Sequence, residues 1–170
     1  ETNDYTLEVT PNGANTVVGR FQAPLGTLNL GGGAAVVFAS GFVDTSNNNA
    51  GPEFGLFAAL PNGTVTPLPE LKQARVQIIH NAPDTALSSV DIYKGGTSTL
   101  IAEDLQFRNA TGFATIEFTG DTYELGIAPG GAPVADTVGF ELSGLQEGGQ
   151  YLAIANGILP ANSADYSAFR

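Results

Sequence analysis

The sequence predicts an all-β protein built from tandem sandwich modules, and three observations carry that expectation. Short stretches alternate apolar and polar residues with a period of two, as in Tyr5-Thr6-Leu7-Glu8-Val9 and in Ala74 to His80, where Val76, Ile78 and His80 share one face. That period marks half-buried strands. Turn formers recur between the stretches, with 22 Gly and 10 Pro in 170 residues, while no helical period emerges. The chain also repeats itself. Asp121 to Leu159 has a weaker copy at Asn3 to Val43: Tyr5, Leu7, Val9, Pro11 and Gly13 align with Tyr123, Leu125, Ile127, Pro129 and Gly131. Further on, Gly32-Gly33, Ala39 and Gly41 align with Gly148-Gly149, Ala155 and Gly157. A repeat of this length marks more than one copy of a single module.

Taken in order, the strand at Tyr5 to Val9 is followed by a Pro11-Asn12-Gly13 turn and a second strand near Thr16 to Phe21. The apolar run Ala34 to Val43 is short and uncapped, which predicts a strand buried on both faces. Asp44 to Pro52 is a polar loop. Glu53 to Leu60 is a strand, and Pro61-Asn62-Gly63 turns it into a hairpin. Pro67-Leu68-Pro69-Glu70 reads as a stiff linker. This divides the chain into residues 1–69, the C-terminal half of a first module, and residues 70–170, a nearly complete second one. In the second, strands are expected at Ala74 to His80, Val90 to Tyr93 and Phe113 to Phe118, with Leu100 to Phe107 crossing over, before the repeated stretch. The chain ends near Phe169, the counterpart of Phe54. The full expectation is two tandem immunoglobulin-like or Greek-key β-sandwich modules, the first lacking its N-terminal strands and the second its C-terminal hairpin.

Bulk properties bound the function. The net charge is −11, with six Lys and Arg together. That field repels phosphate backbones, so nucleic acid is not an expected partner. Cysteine is absent, which excludes disulfides, thiolate metal sites and cysteine nucleophiles. Methionine is absent even at position 1, as expected of a processed product or a fragment. No apolar run approaches the ~18 residues that a membrane-spanning helix needs.

The strand ARVQIIHNAPD at 74–84, VDIY at 90–93, and the segments TYELGIAPGG and GGQYLAIANG resemble the bacterial family called "domain of unknown function 4397". The resemblance covers residues 72 to 170, and residues 1 to 69 look like the back half of another copy. It implies a β-sandwich module of secreted or surface proteins, often in tandem, and it implies no activity.

Few residues form patterns that could carry chemistry. His80 is the single histidine. Its parity points it inward at a strand end, where bonding to the Asn81-Ala82-Pro83-Asp84 turn is the expected role. With Asp84 and Asp91 it could form a small polar cluster. Asp44 to Asn48, followed by Glu53, echoes a calcium loop without its spacing. Glu103-Asp104 and Glu117 through Asp121 are expected on solvated faces and turns. The glycine pairs lack the helix and Lys-Ser/Thr of a phosphate loop. Asp84-Thr85-Ala86 and Asp136-Thr137-Val138 match an O-glycosylation pattern of secreted proteins, which makes Thr85 and Thr137 candidate modification sites; intact mass against sequence mass tests this. No catalytic, cofactor or metal residues are assigned.

The functional expectation is therefore a non-catalytic extracellular or cell-surface module, structural or adhesive. It would be a subunit of a strand-sharing filament or a piece of a longer multi-repeat surface protein. Its partners would be other copies of itself or neighbouring repeats, reached through open strand edges. The alternative is a carbohydrate- or ligand-binding module attached to a secreted enzyme, with surface glycans as partners. Tyr93, on an exposed parity, is the aromatic that favours it.

Overall fold

The computed structural model describes residues 4–26, 34–134 and 137–157. The described residues are all-β, in several mostly antiparallel sheets, and they divide into two units, Glu1–Leu71 and Lys72–Arg170.

In the first unit, β1 (Tyr5–Val9) and β2 (Gly19–Ala23) form an antiparallel hairpin. Its exposed Glu8–Arg20 pair sits directly across the ladder at 2.8 Å, a contact worth about 0.2–1 kcal/mol. A second sheet has the order β3-β4-β5, with β3 at Val36–Ser40, β4 at Gly55–Ala59 and β5 at Val65–Pro67. Phe21 and Ala23 of β2 pack with Leu56 and Ala58 of β4 and with Leu68. Five buried residues make a small core.

Two expectations fail here. The stretch around β3 is not buried on both faces: all five residues of Val36–Ser40 are exposed. The reason is positional, because β3 is an edge strand with β4 as its one ladder neighbour among the described residues. Nor is Pro67 to Glu70 the stiff linker that its prolines suggest. Pro67 ends β5, Leu68 is buried and donates its N–H to the Leu56 carbonyl (2.8 Å), the Pro69 carbonyl accepts from Gln22 N–H (2.8 Å), and Glu70 bridges to Phe21. The two prolines fall where the ladder needs no donor, so they fit an edge.

Among its described residues the second unit holds seven strands: β6 (Leu71–His80, whose first residue closes the first unit), β7 (Ser89–Lys94), β8 (Leu100–Gln106), β9 (Ala114–Thr119), β10 (Tyr123–Pro129), β11 (Val138–Leu142) and β12 (Gln150–Ala155). One sheet has the order β11-β10-β7-β8 and the other β12-β6-β9. A single core joins them, built from Val76 and Ile78 of β6, Val90 and Ile92 of β7, Ile116 and Phe118 of β9, Leu125 and Ile127 of β10, and Ala153 and Ala155 of β12. The result is a two-layer β-sandwich.

Its strand partition differs from that of a constant-type immunoglobulin domain. In seven-strand order, the second and fifth strands pair in both. Here the third and sixth strands, β8 and β11, flank that pair in the same sheet, whereas the immunoglobulin arrangement places them opposite. The segment expected to cross over, Leu100 to Phe107, is instead a ladder partner of β7. The last strand, β12, runs parallel to the first, β6, from Gln150↔Arg75 to Ala155↔His80.

Candidate functional site at the open strand edges

The internal repeat is also a structural repeat. In β1/β2 the register pairs Tyr5↔Ala23, Leu7↔Phe21 and Val9↔Gly19. In β10/β11 it pairs Tyr123↔Leu142, Leu125↔Phe140 and Ile127↔Val138. The two hairpins therefore superpose in register, with one extra residue in the second connection. Both begin that connection alike. Ala14 N–H donates to the Pro11 carbonyl and Ala132 N–H to the Pro129 carbonyl, with Gly13 at φ +78° and Gly131 at φ +74°. Left-handed backbone at the third turn residue selects glycine.

Equivalent residues differ sharply in exposure. Tyr123, Leu125 and Ile127 are 9%, 1% and 4% exposed, while Tyr5 is 54% exposed and Leu7 and Val9 are half-buried. The second hairpin is covered because β10 pairs with β7 along its other edge. No described strand occupies that edge of β1.

The same contrast recurs at the next element. By the repeat, Val37 and Ala39 of β3 correspond to Ala153 and Ala155 of β12. Val37 pairs with Ala58 and Ala39 with Leu56, both core residues, so Val37 and Ala39 lie on the core-side face. They are nonetheless exposed, Val37 by 42%, whereas Ala153 and Ala155 are buried beside β6. On the opposite face, Phe38 stacks on Phe57 at 5.8 Å, 40% exposed itself. An edge this apolar, without the charges or prolines that usually blunt one, is a template for another strand.

The second unit has its own open place. Ile78, Leu125, Ile127, Phe140, Ala153 and Ile154 line an apolar groove, beside which Leu152 is 60% exposed. In the first unit, Phe21, the counterpart of Phe140, is closed over by Phe54 at 6.0 Å, edge to face. The sequence counterpart of Phe54 is Phe169, which lies outside the described residues.

The polar candidates are spent on backbone. His80 is fully buried; its Nε2 donates to the Leu87 carbonyl at 2.6 Å, and its Nδ1 accepts from Ala82 N–H at 3.4 Å. A carbonyl can only accept, so Nε2 carries the hydrogen. Phe107 meets the ring edge-on at 6.0 Å. Asp84 caps the short 3-10 turn Thr85–Leu87 by accepting from Ala86 N–H.

Asp91 is buried as well, 4% exposed, and its two oxygens part ways: Oδ1 accepts from Asp104 N–H at 2.8 Å and Oδ2 from Gly131 N–H at 3.0 Å. Asp104 is the left-handed residue (φ +49°) of a bulge in β8, where the ladder passes from Val90↔Leu105 to Ile92↔Ala102. A side chain at Gly130 would collide with the Ser89 hydroxyl and the Asp104 carboxylate. Asp91 thus ties β7, the β8 bulge and the β10–β11 turn into one node. Strand alternation showed Asp91 to sequence reading, but nothing local marked its partners 13 and 40 residues away. His80, Asp84 and Asp91 do not form a shared hydrogen-bonded cluster through these contacts.

Glu103 and Asp104 are exposed, and Glu117 accepts from the Gln73 amide at 2.8 Å. Tyr93, expected to be exposed, is buried at 8%, because β7 lies between β10 and β8 in the middle of its sheet. Burial raises the Tyr123 phenol above its ordinary value. Thr85 is exposed, while Thr137 is half-buried with its Cβ facing Gly126. Among the described residues, no group of three or more His, Cys, Asp or Glu could hold a metal, and no helix is long and apolar enough to cross a membrane.

The Asp44 loop closes on itself. Asp44 caps the 3-10 turn Thr45–Asn48, accepting from Ser46 N–H at 3.0 Å and from the Asn47 amide at 2.8 Å. The Ser46 bonds hold its carboxyl below the ordinary value of 3.8. A depressed carboxyl stabilises the loop fully above the ordinary value, and that contribution is lost as pH falls through the lower folded one. Carboxyl NMR titration of Asp44 is expected to give a midpoint under 3.8, and Asp44→Asn is expected to remove the pH dependence of the Ser46 amide shift. A midpoint at or above the ordinary value would contradict the cap.

Compared with family models, curated proteins and solved structures, the chain matches none.

Proposed function

We propose that the chain is a non-catalytic structural or adhesive module of a secreted or cell-surface protein, held to neighbouring repeats or other copies of itself through open strand edges. One observation carries this reading: the same hairpin-and-strand unit is buried where strands β6 and β7 flank it and exposed where they do not. Apolar surface left open on a strand edge favours association. The non-catalytic part is supported by where the polar groups go, since His80 and Asp91 bond to backbone inside the fold. The resemblance to "domain of unknown function 4397" modules accords with a secreted, tandem setting. The glycan-binding alternative loses Tyr93, which is buried. Three exposed aromatics of the first unit, Tyr5, Phe38 and Phe42, lie on or next to its edge strands.

Sedimentation velocity over a dilution series from millimolar to micromolar tests the reading. The weight-average mass should rise with concentration and fall reversibly on dilution. A single monomeric species throughout, with no association to an added chain that carries one further repeat, would sink it.

A further inference from the structure

We infer that the free edge of β3 takes a parallel strand of the β6 type, supplied by a neighbouring repeat, in the register that β12 shows with β6. This rests on the edge-association reading above and specifies its partner.

The second unit displays the completed form of what the first leaves open. There the counterpart of β3 is β12, and β6 lies beside it in parallel, with Leu152↔Gln77, Ala153↔Ile78, Ile154↔Ile79 and Ala155↔His80. Carried through the repeat, Val36, Val37, Phe38 and Ala39 would face the residues equivalent to Gln77, Ile78, Ile79 and His80. The faces agree. Val37 and Ala39 share the core side with Ala58 and Leu56, and Ile78 and His80 are among the buried residues of β6. A β6-type strand set there would lay its apolar side over the same core and cover Val37 and Ala39, as it covers Ala153 and Ala155 in the second unit.

The first hairpin supports the same occupant. Its free edge on β1 is the one that β7 fills on β10, so the two open edges call for consecutive strands of one module. Charge agrees as well. Residues 1–71 carry Glu1, Asp4, Glu8, Asp44, Glu53 and Glu70 against the lone Arg20, while Lys72 and Arg75 sit in β6. A second copy of this chain is a poorer donor, because its own β6 already lies between β12 and β9 and could be lent only by opening its own core. A strand of this pattern that is not already paired within its own module has no such cost.

The chain has no cysteine, so cross-linking can read the register. The full chain carrying Val37→Cys is mixed with a peptide of residues 70–83 carrying Ile78→Cys, or with the same peptide carrying Ala74→Cys, under a mild oxidant. In parallel, hydrogen exchange of the β3 amides is followed with the unmodified peptide. The expected result is exchange slowed by about tenfold or more at the edge-facing amides of β3, with the disulfide forming to the Ile78→Cys peptide and not to the Ala74→Cys one. Slowed exchange with the Ala74→Cys link instead would overturn the parallel register while leaving edge association standing. No slowing with the peptide would overturn the β6-type partner, whether or not the chain associates with itself in sedimentation.

Discussion

His80→Ala is expected to destabilise the second unit by about 4 kcal/mol, near the upper end of single substitutions. Three losses add. The ring leaves a cavity beneath Phe107, whose edge-on contact goes with it. The Leu87 carbonyl loses the Nε2–H donor that it meets at 2.6 Å, and a buried carbonyl without a partner costs about 1–3 kcal/mol. The Ala82 N–H loses its longer bond to Nδ1. His80→Phe fills the space but restores neither bond, so a smaller loss of about 2 kcal/mol is expected. Urea unfolding followed by far-UV circular dichroism, fitted separately for the two units, measures both. A large loss in His80→Ala with none in His80→Phe would show that the ring only fills space; a loss of function without a loss of stability would point to chemistry at His80 instead.

Asp91→Ala is expected to cost about 3 kcal/mol and to act locally. Each bond from a backbone N–H to its carboxylate contributes about 1.5–3 kcal/mol, offset in part by solvent reaching the vacated node. The loss should surface first in hydrogen exchange at the Asp104 and Gly131 amides, the two donors to Asp91. Asp91→Asn keeps one acceptor oxygen and turns the other position into a donor facing an N–H. It should therefore free one of the two amides and cost about half as much. Uniformly faster exchange across all of the second unit, with no preference for those two amides, would contradict the node.

Much of the strand layout was legible because alternation is local. Val76, Ile78 and His80 could be placed on one face of β6 from period two alone, and the structure buries all three. The repeat was legible for a related reason: Pro11-Asn12-Gly13 and Pro129-Gly130-Gly131 encode the same turn, and the strands on either side keep their apolar positions. What escaped was whatever depends on neighbours. The apolar run at β3 has the composition of a strand covered on both faces, but composition does not say which strands lie beside it, and among the described residues only β4 does. Tyr93 has exposed parity and is buried because β7 is central. Pro67 and Pro69 suggested a linker, yet carbonyls at prolines still accept, and Leu68 between them donates to Leu56. The Asp91 node joins residues far apart in sequence, and its one local trace is an acidic residue within an apolar strand. The candidate site followed the same rule. Its chemistry, exposed apolar edge, was visible in the sequence only as a repeat, and became specific once β12 and β6 showed what lies beside the equivalent strand.

Hydrogen exchange at the amides of Tyr5–Val9 and Val36–Ser40 tests the central claim most directly, with Tyr123–Pro129 and Gln150–Ala155 as the internal reference. In dilute chain, the edge-facing amides of β1 and β3 should exchange far faster than their counterparts in β10 and β12, because no described strand pairs with them. As the chain is concentrated, or completed by a neighbouring repeat, those same amides should slow while the amides of β3 that already bond to β4 change little. If β1 and β3 are as protected as β10 and β12 in dilute monomer, or if their exchange stays fast at every concentration and with every added repeat, the open edges are not where this protein makes its contacts.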